Sequence, residues 1–194
     1  MEDSILISSM LNLTKFDNGT IEIHYQLFPI QDLAFRTILM FESRLEKRNI
    51  TLEGLDSEPV QVWGDPDLIG QVIYNLFENA TKFVNTGGTI TFTFKDEPNS
   101  TSIAIRNTGA GISKEELPKI FERFYKSDDS RSHDKTGLGI GLDITKHIVR
   151  LHKAQISVSS EEGEYTEFLI RLPKKDAPAE SPTENPEKQP KDAR

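Results

Sequence analysis

The chain has 194 residues, 36% of them hydrophobic, and a formal net charge of −8. That length suffices for one domain with a real hydrophobic core. The acidic balance argues against general nucleic-acid binding through phosphates, and the lack of cysteine excludes disulfides, thiolate catalysis and cysteine-based zinc sites. No apolar run approaches the roughly 18–20 residues that cross a bilayer as a helix, and no signal peptide opens the sequence. The expectation is a soluble, cytoplasmic chain without membrane contact of its own.

In chain order, Ser4–Thr14 carries Ile5, Leu6, Ile7, Met10, Leu11 and Leu13 near a helical stripe, then stops at Phe16-Asp17-Asn18-Gly19. Residues 1–18 therefore read as the end of a longer helix and a linker. Gln31–Arg48 is a helix candidate with Leu33, Ile38, Phe41 and Leu45 on one side. Short strands are expected at Ile50–Leu52 and Val60–Trp63. Asp65-Pro66 pairs a capping carboxylate with a proline whose missing N–H costs nothing. The helix it starts runs through Phe83, burying Leu68, Val72, Ile73, Leu76 and Ala80.

Gly87-Gly88 turns into Thr89–Lys95, where Ile90, Phe92 and Phe94 alternate with threonines as in a half-buried strand. Glu97–Ser100 turns the chain into a strand at Thr101–Arg106. A helix follows at Leu138–His152, then a hairpin of Gln155–Ser160 and Thr166–Leu172 around Glu161–Glu164. Helices on one face of a mixed, mostly antiparallel sheet make an α+β two-layer sandwich over residues 19–173. Residues 174–194 lack large apolar side chains and read as a disordered tail.

Four blocks carry chemistry. Asn75, Asn79 and Lys82 share one helical stripe at i, i+4 and i+7. An amide oxygen is a neutral hard ligand suited to Mg²⁺, and an ammonium near it can meet phosphate. Solvated amides on an ordinary amphipathic helix explain this stripe about as well when it stands alone. Asn107-Thr-Gly109-Ala-Gly111-Ile112 follows a strand with two glycines that permit a tight turn. Phe121, Phe124 and Tyr125 flank Arg123 and Lys126 before the polar run Ser127–Thr136, a lid pattern anchored at one end. Gly137-Leu138-Gly139-Ile140-Gly141-Leu142 opens a helix, where backbone amides and the helix dipole form an anion site. No βαβ unit surrounds it, so it is not a dinucleotide fingerprint.

In this order the blocks resemble the ATP-binding domain of sensor histidine kinases, in the group that includes gyrase B, the Hsp90 chaperones, MutL and the anti-sigma kinases. The resemblance extends to Pro173 and implies a Bergerat-type ATP-binding fold with ATP and Mg²⁺ as cofactors. It assigns Asn79 to Mg²⁺, Asn75 to its support, Lys82 to phosphate and Phe83 to the adenine. It places Asn107, where the family usually has aspartate, at the adenine amino group, with Gly109, Gly111 and Ile112 forming the turn beside it. It also brings Arg123 and Lys126 to the phosphates, has Phe121 and Phe124 dock the lid, and gives Gly137, Leu138, Gly139, Gly141 and Leu142 the second glycine turn.

Hydrolysing relatives have glutamate at the position of Asn75, and an amide cannot take a proton near neutral pH. Glu78 lies roughly 60° off the stripe. None of His24, His133, His147 and His152 sits in the His-Glu-x-Lys/Arg-x-Pro context of an acceptor. The expected function is phosphoryl transfer from ATP to a histidine on a separate dimerisation domain, upstream or in trans, with a response regulator receiving it next and no nucleic-acid partner. The parent kinase would be cytoplasmic or membrane-anchored. The alternatives are an anti-sigma-type serine kinase and a non-catalytic module binding nucleotide or a partner.

Overall fold

The computed structural model describes residues 22–122, 125 and 140–175. The expectations for Ser4–Thr14, for Arg123, Phe124, Lys126 and the lid run, for His133, for Gly137, Leu138 and Gly139, and for the tail beyond Lys175 lie outside them. The described elements are β1 (Gln26–Pro29), α1 (Ile30–Lys47), β2 (Thr51–Glu53), β3 (Gln61–Gly64), α2 (Pro66–Phe83), β4 (Thr89–Asp96) and β5 (Ser100–Thr108). After them come α3 (Gly141–Leu151), β6 (Gln155–Glu161) and β7 (Tyr165–Pro173).

Five strands form one mixed sheet in the order β2-β4-β5-β7-β6, parallel only between β2 and β4. Pairing register aligns the apolar side chains in rows across it. Phe92, Ile105, Phe168 and Val158 form one row, and Phe94, Ile103, Ile170 and Ile156 the next. The helices cover this face, with Ile73, Leu76 and Phe77 of α2 and Ile144 and Ile148 of α3 fully buried. Each such side chain contributes about 1.5–3 kcal/mol on removal from water. Phe77 contacts Phe92 below it and Phe41 of α1 beside it, with centroids 5.5 and 5.4 Å away. The result is the expected α+β sandwich.

Asp65 starts α2 as its sequence requires, accepting from the backbone N–H groups of Asp67 at 3.0 Å and Leu68 at 3.2 Å. By contrast α1 has no side-chain cap. Its Ile30 N–H reaches the Val60 carbonyl at 3.0 Å, and the buried Gln31 amide ties down the same loop through Val60 N and Glu58 O. A helix start fixed by tertiary contacts leaves little local signal.

Three details differ from expectation. Gln26–Pro29 forms a strand that pairs with β3 in a separate two-stranded ribbon. It is short and largely exposed, so it lacks an alternating apolar pattern. On α2 the core stripe takes Ile69 and Phe77 in addition, while Leu68 is only partly buried. Strand β5 runs on to Thr108, which puts Asn107 in the sheet rather than in the turn beyond it.

Candidate functional site

The two asparagines of α2 have different surroundings. Asn75 is buried and its amide is fully committed: Oδ1 accepts from Gln71 Nε2 at 2.8 Å, and Nδ2 donates to Gly141 O at 2.9 Å and Thr145 Oγ1 at 3.3 Å. It therefore ties the middle of α2 to the first turn of α3. One turn on, Asn79 is half-buried and its side chain has no hydrogen-bond partner among the described residues. Lys82 lies 3.2 Å from Glu78, a pair one turn apart on the same helix. Phe83, the last residue of α2, is exposed at its end. The sequence stripe thus separates into a structural amide and one that is uncommitted among the described residues.

Asn107 is buried in a row with Ile90 on one side and Thr166 on the other. Its Nδ2 donates to the Thr108 carbonyl at 3.0 Å, leaving Oδ1 as an acceptor with no described partner. Gly109 and Gly111 both have positive φ, 148° and 70°. A side chain on Gly109 would collide with the Phe83 carbonyl, and one on Gly111 with the Glu161 carbonyl. The glycines thus let this turn pack against protein backbone, at the end of α2 and at the β6–β7 hairpin. An isolated bridge between Val84 and Gly109 holds the first of these contacts. Ile112 packs on the core, and its N–H donates to Ser160 Oγ at 2.8 Å.

Gly141 and Leu142 begin α3 with Ile140 as the cap, so the third glycine of the second glycine block is the first helical residue. Phe121 packs edge-on against Phe168 with centroids 6.2 Å apart, anchoring the segment before residues 123–139 to the core. Among the described histidines, His24 is exposed and His147 lies 3.4 Å from Asp143 on its own helix. His152 is buried; its Nε2 accepts the Asp65 N–H at 3.1 Å while Nδ1 faces the Ile148 carbonyl at 2.8 Å. A neutral imidazole protonated on Nδ1 satisfies both contacts.

The structure brings Asn75, Gly141 and Leu142 together, and separately Phe83, Gly109 and the β5 end that carries Asn107. Sequence reasoning missed Gln71, Thr145, Thr166 and Ser160. Thr166 had a signal: it is a polar residue on the buried stripe of Phe168, Ile170 and Leu172. Its hydroxyl lies 3.1 Å from that of Ser160, which also receives the Ile112 N–H. Among the described residues no cluster of three or more His, Cys, Asp or Glu side chains forms a metal centre.

Residues 64–176 match the family of histidine kinase-, DNA gyrase B-, and HSP90-like ATPases. The sensor protein SrrB of Staphylococcus aureus is 32% identical over 170 residues, covering 87% of this chain but 29% of SrrB. The chain therefore spans under a third of the curated relatives it matches. Among solved structures, the catalytic domain of histidine kinase ThkA is 27% identical with a TM-score of 0.67, over 77% of this chain and 95% of that one. The Acinetobacter baumannii histidine kinase AdeS shares the fold, with a TM-score of 0.71 at 23% identity over 88% of this chain and 77% of that one. ThkA in complex with the response regulator TrrA also matches, with a TM-score of 0.69 at 24% identity over 89% of this chain and 48% of that one. The match over residues 64–176 takes in more than half of the chain, and the chain belongs to the family of histidine kinase-, DNA gyrase B- and HSP90-like ATPases.

Proposed function

We propose that this chain binds Mg-ATP and transfers the γ-phosphoryl to a histidine on a separate dimerisation segment, as the cytoplasmic catalytic portion of a sensor kinase. The observation that carries this reading is the contrast between Asn75 and Asn79. Asn75 is consumed by contacts to α3, while the side-chain oxygen of Asn79, a hard neutral ligand, has no hydrogen-bond partner among the described residues. Mg-ATP, when bound, supplies the phosphoryl group and the charge that must be neutralised in transfer. Lys82 and the backbone amides of Gly141 and Leu142 at the start of α3 face that charge. Asn107 offers its oxygen to the adenine amino group, and Phe83 covers the base. For residues outside the described ones, the proposed roles are phosphate contact for Arg123 and Lys126, lid docking for Phe124, and the second glycine turn for Gly137, Leu138 and Gly139.

The amide of Asn75 cannot activate water, and Glu78 sits against Lys82, so the site holds ATP for an acceptor. A response regulator is the next recipient; ThkA, a similar kinase, has been solved with one. Among the described residues no helix is long and apolar enough to cross a membrane.

The test follows labelled phosphate from ATP with and without cognate dimerisation helices. Acid-labile label on the supplied histidine, with little hydrolysis in its absence, is expected. Acid-stable label on serine would favour the anti-sigma type of kinase, and rapid hydrolysis without acceptor would contradict the role assigned to Asn75.

A further inference from the structure

Arg48 follows α1 as its capping residue and reaches across to the far end of α2. Its Nη1 donates to the Thr81 carbonyl at 2.6 Å and its Nη2 to the Val84 carbonyl. Its own carbonyl accepts from Gly87 N at 2.9 Å, which ties the turn before β4 to the same point. Arg44, one turn earlier, contributes a longer contact of 3.5 Å to the Thr81 hydroxyl, which donates to Glu78 O at 2.9 Å. The last carbonyls of a helix lack intrahelical partners. A planar guanidinium holds two of them at a fixed spacing, as a single ammonium does not.

Lys82 and Phe83 lie between the two clamped carbonyls. Val84 also bridges to Gly109, and the Phe83 carbonyl occupies the space where Gly109 has no side chain. The fork therefore sets how the Lys82–Phe83 step stands relative to the Gly109 turn. We propose that Arg48 is a positioning residue of the nucleotide site, acting through the Thr81 and Val84 carbonyls on the relation between the end of α2 and the Gly109 turn. The proposal rests on the nucleotide reading above.

The experiment titrates wild type, Arg48→Ala and Arg48→Gln with ATP and with ADP by calorimetry, alongside hydrogen exchange. Glutamine keeps most of the stem and one donor group but loses the fork. Both variants should bind ATP and ADP about five- to tenfold more weakly, because the displaced step carries Phe83, which covers the base common to both. Exchange should accelerate at residues 82–85 and stay unchanged in β6 and β7. Millimolar methylguanidinium should restore affinity to Arg48→Ala, whose cavity it fits, and not to Arg48→Gln. Affinities within twofold of wild type for both nucleotides in a folded variant would overturn the proposal. If Arg48→Ala does not fold, Arg48→Gln is judged by the same affinities. Failure of wild type to bind either nucleotide would instead sink the nucleotide reading itself.

Discussion

Asn75 and Asn79 are the same residue type one helical turn apart, yet their substitution should produce different phenotypes. Asn79→Ala removes an amide with no described partner, so the fold should be untouched while Mg²⁺-dependent ATP affinity falls about tenfold. Calorimetry with and without Mg²⁺ checks this, and equal affinity of both forms under both conditions would remove Asn79 from the site. Asn75→Asp keeps the shape but loses both donors, and it sets an anionic oxygen against the Gly141 carbonyl now 2.9 Å away. Loss of buried hydrogen bonds with an unsatisfied group left behind costs about 1–3 kcal/mol. Urea denaturation should therefore show a clear fall in stability, and an unchanged midpoint would mean that this amide does not hold α2 to α3. The stripe was legible in the sequence because helical spacing is fixed. The division of labour within it was not, because Asn75 meets Gly141 and Thr145 from a segment 66 to 70 positions away.

At the scale of elements, Asp65 joins three pieces of chain at the start of α2. Its Oδ1 caps the helix through Asp67 and Leu68, its Oδ2 accepts the His24 N–H at 2.9 Å, and its own N–H donates to buried His152 at the end of α3. Asp65→Asn separates these roles, since asparagine caps as well as aspartate but its Nδ2 cannot accept from His24. Exchange of the His24 amide should speed up while Asp67 and Leu68 stay protected; Asp65→Ala should expose all three. Equal acceleration in both variants would show that the two oxygens do not act separately. The cap itself was readable from Asp65-Pro66, because capping chemistry is local. The ribbon of β1 and β3 and the uncapped start of α1 were not, because both depend on partners distant in sequence.

Across the whole molecule, the candidate site draws on α2, on the turn after β5 and on the start of α3, three stretches far apart in sequence that pack on one core. Strand β4 announced itself through the alternation of Ile90, Phe92 and Phe94, and β5 and β7 through the turns at Glu97–Ser100 and Glu161–Glu164, so the sandwich could be read from the sequence. What the glycines of the first turn do could not: Gly109 and Gly111 answer to the carbonyls of Phe83 and Glu161, which only the folded chain brings near. Because the three stretches pack on one core, a ligand that contacts all of them should resist global unfolding. Binding at a hundred times Kd contributes about 2.7 kcal/mol. For a chain of this size each kcal/mol shifts the melting temperature by about 2–4 °C. A non-hydrolysable ATP analogue with Mg²⁺ should therefore raise it by about 5–10 °C in a single transition. The same nucleotide concentration without Mg²⁺, or with Asn79→Ala, should give a smaller shift, since each weakens binding at the cation. Calorimetric scans of the four combinations make the comparison. An unmoved transition at saturating nucleotide would mean that α2, the Gly109 turn and α3 do not share one ligand.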